Sequence, residues 1–213
     1  MPLIGRRSLI VAALALPFAA RQAYAQRLGC SGGLRVAYLV PITGPYAITG
    51  SRIIDGARAA ANEAANANCP IDIVTFDTEG SVARLFELTV RAVEVDGANL
   101  VVAPFGSVIV MKLADRLDSA LFIDLIQSSP STDAWLPDNY VSILFSDFVM
   151  KDLSNREEAH FNQGKASLEI IAAVARSGPN NISDFIEILK SAPIHTPSGT
   201  FNFNQDSHAI GRM

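Results

Sequence analysis

The chain has 213 residues, 49% of them hydrophobic, two cysteines and a formal net charge of −4 at pH 7. That length suits one domain with a full core, and the acidic balance excludes a nucleic-acid binder that works through a basic surface. No internal repeat or low-complexity tract interrupts it, and beyond the first 25 residues no apolar run reaches the roughly 18 residues a membrane-spanning helix needs.

Residues 1–25 read as an export signal rather than as part of a fold. Arg6 and Arg7 precede an apolar run, Ser8 to Ala20, too short to span a bilayer, and Ala23-Tyr24-Ala25 is an A-x-A site that places cleavage before Gln26. The paired arginines with Ser8-Leu9-Ile10 fit a twin-arginine signal, although Gly5 stands where that signal prefers Ser or Thr. An ordinary Sec signal is the other reading. Leu28-Gly29-Cys30 ends like a lipidation site, but Arg27 occupies a position that calls for an apolar residue. The expectation is an exported, periplasmic protein of residues 26–213.

The fold begins at Val36–Val40, an apolar run suited to a strand buried on both faces. Pro41-Ile42-Thr43-Gly44-Pro45 ends it. From Ser51 the spacing turns helical, with Ile53, Ile54, Ala57, Ala60, Ala61, Ala64 and Ala65 forming one apolar stripe. A second strand, Ile71–Phe76, leads into Asp77-Thr78-Glu79-Gly80, and Ser81 is placed to cap the helix that follows. Leu100–Ala103 is a third strand, with Pro104-Phe105-Gly106-Ser107 at its exit and a helix beyond. Ala120–Ile126 is a fourth strand, followed by the polar segment Gln127–Asp133. Tyr140–Phe145 is a fifth. Strands alternating with helices predict an α/β, doubly wound, mainly parallel sheet with helices on both faces. In such a sheet ligands sit at the carboxyl ends of the strands. Cys30 and Cys69 both fall at the opposite edge, just before the first and second strands. Export permits a disulfide between them; two separate thiols are the other reading.

The stretch PITGPYAITGSRIIDGARAAANEAA resembles the opening of the periplasmic solute-binding proteins of ABC transporters, specifically the leucine/isoleucine/valine-binding type. Asp77 after the second strand, Ala103-Pro104-Phe105-Gly106-Ser107 after the third, Ser128-Ser129-Pro130-Ser131-Thr132 after the fourth and Tyr140-Val141-Ser142 in the fifth follow the same family's order. Thr196-Pro197-Ser198-Gly199-Thr200-Phe201-Asn202-Phe203 resembles a late segment of the family's first lobe. Between these parts the family carries a long segment that builds a second lobe. Here only a polar stretch, 148–162, stands in its place, followed by helices at Lys165–Arg176 and Ile182–Lys190. The resemblance therefore implies a single lobe in which that polar linker replaces the second.

The resemblance also implies a ligand site. In the family, main-chain N–H groups and hydroxyls of first-lobe exit loops hold the ligand's carboxylate, an arrangement that helix N-termini favour for any anion. The positions carried over are Ser107, Ser131 and Thr132, with Thr49 near the ligand's side chain. The plainer reading is that these hydroxyls cap helices and turns. The family's acidic partner for the ligand ammonium lies in the second lobe, so no residue here inherits that role; Asp77 and Glu79 could substitute, or simply sit in a solvated loop. Trp135 reads either as a pocket wall or as a core anchor.

Enzyme signals are poor. Glu157-Glu158-Ala159-His160 is not H-E-x-x-H, and no G-x-S-x-G, G-x-G-x-x-G or G-x-x-x-x-G-K-[ST] occurs. His160, His195 and His208 read as surface residues. Neither a cofactor nor a metal is expected, and a flavodoxin-like enzyme lacks its motif. The expectation is a non-enzymatic binder of a small amino acid or amide-like solute, partnered with an ABC permease. The alternatives are a truncated sensory or interaction module, or a non-binding remnant.

Overall fold

The computed structural model describes residues 28–104, 107–126, 137–144, 155–203 and 208–212. Eight strands, β1 (Leu34–Val40), β2 (Ile71–Asp77), β3 (Leu100–Ala103), β4 (Leu121–Ile126), β5 (Tyr140–Leu144), β6 (Ile194–Thr196), β7 (Gly199–Phe203) and β8 (His208–Arg212), form one sheet in the order β2-β1-β3-β4-β5-β8-β7-β6. The first six of these in space are parallel, and β7 pairs antiparallel with both β8 and β6. Among the described residues five α-helices accompany them: α1 (Ala47–Asn66), α2 (Val82–Glu94), α3 (Ser107–Arg116), α4 (Arg156–Arg176) and α5 (Ile182–Ser191).

β1 organises the sheet because its residues fill both faces. Val36, Tyr38 and Val40 join the core built with α1, α4 and α5, while Ala37 and Leu39 join the core under α2 and α3. Period-two alternation with every position from Val36 to Val40 buried is the signature of a strand covered on both sides. Two buried hydroxyls on the α4 side, those of Tyr38 and Ser167, are paired with each other. Ser167 donates to the Gly164 carbonyl at 2.8 Å and meets the Tyr38 hydroxyl at 2.9 Å. Burial pushes the Tyr38 hydroxyl pKa far up, offset only in part by the Ser167 bond.

The amino-terminal edge of the sheet is tied by polar groups that single elements cannot satisfy alone. Asn99 accepts the Arg35 N–H at 2.9 Å, and Asn139 donates to the carbonyls of Leu117 and Ala120. At the same edge Cys30 and Cys69 are disulfide-bonded, 39 residues apart in sequence. Closing a loop of that length stabilises a fold by roughly 4 kcal/mol in the chain-entropy account.

Element boundaries differ from the sequence reading in two informative places. α1 starts at Ala47, not Ser51, so Thr49 lies in its first turn rather than in a loop. The polar stretch 148–162 is not a linker over its second half. Asn155 caps α4 by accepting the Glu158 N–H, and Glu157 and Glu158 lie in the first turn, where acidic side chains favour the helix dipole. Residues 148–154 of that stretch lie outside the described residues. The late Thr196–Phe203 segment forms the β6–β7 hairpin.

α1 and α4 cross at two glycines. A Cβ on Gly56 would sit 1.9 Å from the Phe161 carbonyl oxygen, and one on Gly164 would sit 1.9 Å from that of Ile53. Both distances are far inside van der Waals contact, so each glycine is required by the close approach of the other helix's backbone. Replacing glycine by alanine inside a helix ordinarily gains up to about 1 kcal/mol. Here Gly164→Ala is expected to destabilise the protein by about 2–3 kcal/mol, through forced separation of the helices. Urea denaturation reads this directly, and a neutral or stabilised variant would contradict the packing described.

Candidate functional site

The strand order 2-1-3-4-5 reverses direction between β1 and β3, and in open parallel sheets a ligand crevice forms at the carboxyl ends on either side of that reversal. The crevice is bordered by the β1 exit loop, residues 41–46, and by the start of α3. Because α1, α2, α3 and α4 each return antiparallel to the strands, their N-termini gather at this edge. The Arg52–Glu157 ion pair at 2.7 Å holds the second turn of α1 beside the first turn of α4.

The loop after β1 is fastened by Asp77 at the end of β2. Its Oδ1 accepts the N–H groups of Ile42 (2.9 Å), Thr43 (3.3 Å) and Glu79 (2.9 Å), and its Oδ2 accepts the Thr43 hydroxyl at 2.7 Å. Partial burial pushes this carboxyl up, but the four hydrogen bonds together outweigh it and hold the pKa at about 2. Glu79 takes a left-handed conformation, φ 53°, rare for a non-glycine residue; its N–H is one of those Asp77 accepts. Gly44 and Gly80 also have positive φ. The Gly44 Cα faces the Glu79 carbonyl, and a Cβ on Gly80 would meet the Tyr46 ring at 3.0 Å. Two loops are thus locked to each other by one carboxylate. Asp77 is not the solvated residue of the sequence reading, and its oxygens are committed within the protein rather than held ready for a ligand ammonium.

Helix ends at this edge are unequal. α2 is capped by Ser81, as its sequence implies, and α4 by Asn155. α1 has no side-chain cap, since its N-cap residue is Tyr46. The first N–H group of α1, that of Ala47, donates to the Gly44 carbonyl at 3.2 Å, and the N–H groups that follow receive no side-chain oxygen from the cap. Thr49 is half-buried there. Ser107 is the first residue of α3, and its position is set at the same edge, although its side chain is not described. Ser131, Thr132 and Trp135 lie outside the described residues.

α4 adds groups that the sequence reading left at the surface. His160 is half-buried against Gln163, its Nδ1 3.4 Å from Gln163 Oε1, while Gln163 Nε2 donates to the Leu125 carbonyl at 3.3 Å, where β4 approaches its exit. Burial lowers the His160 pKa, with the Arg156 charge acting in the same sense against the Gln163 bond. The signal for this missed region was the Asn155-x-x-Glu158 spacing, a helix-start pattern. His195 is exposed on β6, with Nδ1 3.0 Å from the Thr200 hydroxyl; the side chain of His208 is not described. Within β4, Asp124 is buried and accepts the Tyr140 hydroxyl at 2.7 Å. Burial, and then the carboxylate's own charge and bond, push the Tyr140 pKa far up.

Among the described residues no group of three or more His, Cys, Asp or Glu is arranged to hold a metal ion, and no helix is long and apolar enough to cross a membrane. A groove of about 870 Å³ opens at the other, amino-terminal edge, between Leu34, Ile71, Val93 and Ala98. It lies away from the strand carboxyl ends, and Arg35 on its rim is already bound to Asp72 at 2.7 Å and to the Asp96 carbonyl.

Asp77 makes the crevice pH-sensitive in one direction. Its folded pKa is depressed, so its contribution is complete above the unfolded carboxyl value near 4 and is lost as pH falls towards about 2. Asp77→Ala should cost about 1 kcal/mol at pH 7, since the bonds are partly solvent-accessible. The gap between wild type and variant, measured by urea denaturation, should close between pH 4 and 2. A gap constant over that interval would contradict the clasp.

Residues 33–148, just over half of the chain, match the family described as periplasmic binding protein. No curated protein matches the sequence. Among solved structures, the solute-binding protein of an ABC transporter from Rhodopseudomonas palustris BisB5, in complex with 3,4-dihydroxy benzoic acid, is similar at a TM-score of 0.63 and 10% identity, over 84% of this chain and 91% of that one. An ABC transporter structure from Rhodopseudomonas palustris is similar at 0.62 and 10%, over 84% and 94%. The branched-chain amino acid transporter substrate-binding protein of Streptococcus pneumoniae, in complex with isoleucine, is 19% identical over 58% of this chain with a TM-score of 0.47, and the chain spans 37% of its length. At these identities the structural likeness is one of fold. With the doubly wound sheet, the family match over β1 to β5 is sufficient: the chain belongs to the periplasmic binding protein family.

Proposed function

We propose that the protein is an exported, non-enzymatic solute-binding component that holds a small carboxylate-bearing solute, an amino acid or amide-like molecule, for the permease of an ABC importer. The observation that carries this reading is the uncapped N-terminus of α1, set at the sheet's reversal point beside a loop that Asp77 holds rigid. Aligned N–H groups and the helix dipole favour an anion at that spot. The hydroxyls of Ser107, Ser131, Thr132 and Thr49 would complete the set. The family membership and the carboxylic acid held by the Rhodopseudomonas palustris BisB5 protein agree with such a solute.

We read the chain as one lobe, because β5 and α4 are joined by residues 145–155 alone, too short a connection for a second domain. One wall leaves the far side of the solute in water, whereas tight small-molecule sites bury most of the ligand. Two or three charge-assisted hydrogen bonds, offset by the entropy of association, correspond to a dissociation constant of roughly 0.1–1 mM for a single copy. Titration calorimetry with leucine, valine, short amides and 3,4-dihydroxybenzoate is expected to show binding that Ser107→Ala/Thr132→Ala abolishes. Equal binding by that double variant would overturn the site, and no heat with any of these probes would favour a sensory or interaction module instead.

Export rests on residues 1–25. Protein recovered from the periplasm is expected to begin at Gln26, and Arg6→Lys/Arg7→Lys to block export if the twin-arginine route operates. N-terminal sequencing that returns Met1 from exporting cells would refute the cleavage site.

A further inference from the structure

One stripe of α4 is polar where a core-facing stripe is ordinarily apolar. Arg156, His160, Gln163 and Ser167 follow the i, i+4, i+7, i+11 spacing that puts side chains on one side of a helix. Ile170, Ile171 and Val174 continue that side into the core against the sheet. The stripe therefore faces the strands. Ser167 is fully buried and meets Tyr38, in the middle of β1, at 2.9 Å. Gln163, 1% exposed, reaches the Leu125 carbonyl one residue before the end of β4. His160 and Arg156 come next towards the helix start. At 1.5 Å of rise per residue they lie about 4.5 Å and about 10 Å beyond Gln163, whereas β4 continues past Leu125 for one residue, about 3.3 Å. Both side chains thus overhang the carboxyl ends of the strands. Burial falls along the stripe accordingly, to half-buried at His160 and exposed at Arg156.

Neither outer group is used up by the fold. The Leu125 carbonyl can only accept, so the Gln163 atom facing it is the amide nitrogen, and Oε1 is left to face His160 Nδ1 at 3.4 Å. An amide oxygen also only accepts, so Nδ1 carries the proton and Nε2 holds a lone pair. Nε2 has no hydrogen-bond partner among the described residues. Burial, with the Arg156 charge acting in the same sense against the Gln163 bond, lowers the His160 pKa and keeps the ring neutral at pH 7. Arg156 brings the complementary property. The ion pairs of α4 engage Glu157, Lys165 and Glu169, and among the described residues Arg156 has none. Glu158 falls on the opposite side of the helix and bonds to Asn155. One turn apart on a helix, two Cβ atoms stand about 6 Å from each other. Arg156 and His160 therefore present a fork of N–H donors beside a single acceptor, which matches a carboxylate with an N–H group on the neighbouring carbon.

We infer that Arg156 and His160 are solute-contacting residues, the guanidinium taking the carboxylate and His160 Nε2 accepting the adjacent N–H, and that Gln163 is the residue positioning the ring. The solute is then an α-amino acid rather than a plain carboxylic acid. The Arg52–Glu157 pair sets these groups beside the start of α1, so both helices can face one carboxylate. This inference rests on the reading of that edge as the solute site.

Nuclear magnetic resonance titration of the purified exported protein, labelled with nitrogen-15, tests it with three probes: leucine, 4-methylpentanoate, which lacks the ammonium, and 3-methylbutylamine, which lacks the carboxylate. The wild type is expected to bind leucine roughly fivefold or more tightly than either analogue. His160→Leu should bring leucine down to the affinity of 4-methylpentanoate and leave that analogue unchanged. Arg156→Gln should weaken leucine and 4-methylpentanoate by a similar factor and leave 3-methylbutylamine unchanged. Arg176→Gln, the same charge change at the far end of α4, should alter none of them. In the free protein above pH 7 the His160 ring signals should show a protonated Nδ1 and a bare Nε2, and Nε2 should shift with leucine but not with 4-methylpentanoate. A wild type that binds leucine and 4-methylpentanoate equally overturns the inference. So does a His160→Leu variant that weakens all three probes alike, which marks a structural role, and so does a ring protonated on Nε2. Leucine binding that Ser107→Ala/Thr132→Ala abolishes but the α4 variants leave intact overturns the α4 contacts alone, and the proposed function stands. A wild type that binds none of the three overturns both readings.

Discussion

The structure depends on the crossing of α1 and α4 at Gly56 and Gly164. Their backbones approach so closely that neither position has room for a single methyl group. This contact covers the β1 face carrying Val36, Tyr38 and Val40, and it fixes α1 along its length. Because a helix is rigid, fixing its middle also fixes its first turn, and the first turn of α1 lies at the carboxyl edge beside the β1 exit loop. The geometry of the candidate site is thus set some residues away, by two glycines that never touch it. Buried pairing reinforces the same contact: Ser167, one turn from Gly164, engages the Tyr38 hydroxyl of β1.

Much of this was legible in the sequence because the signals are local. Apolar runs, continuous in β1 and β3 and broken by Asp72, Thr75, Asp124 and Ser142 in β2, β4 and β5, marked the strands, the small-residue stripe of α1 marked a helix, and Ser81 stood where a cap belongs. The two cysteines could be placed at one edge because parallel neighbours start together. Other features were not legible, for reasons that are physical. The start of α4 depends on an Asn155 cap and an acidic first turn, and a polar, weakly amphipathic opening looks the same as a linker when only apolar periodicity is counted. The value of Gly56 and Gly164 is invisible without their partners, since an isolated glycine in a helical pattern reads only as a weakness. Asp77 presents the same difficulty. An aspartate after a strand is usually solvated, and nothing local reveals that Ile42 and Thr43, about 35 residues earlier, bring donors to it. The hydroxyls of Ser131 and Thr132 fall in a segment outside the described residues, so the chemical set at the crevice is known from its α1 and β2 sides.

The two edges of the sheet divide stability from binding. At the amino-terminal edge the disulfide, the Asn99–Arg35 bond and the paired carbonyl contacts of Asn139 join elements far apart in sequence. Nothing there needs to move, and each link adds to global stability. At the carboxyl edge the links are different in kind. They join one loop to the next, or one helix start to another, and they satisfy local donors without burying the apolar residues beside them. Ile42, Tyr46, Ile48, Val82 and Val108 stay exposed although the β1 and β2 exit loops are fastened to each other. Leaving such side chains in water costs roughly 25 cal/mol for each square ångström of apolar area that contact would otherwise remove from solvent. Residues that served only the fold could be polar here at no loss, because Asp77 and the ion pairs already hold the backbone in place. The Asp77 links thus order the β1 and β2 exit loops in advance, and an edge ordered in advance lowers the conformational cost of any binding there.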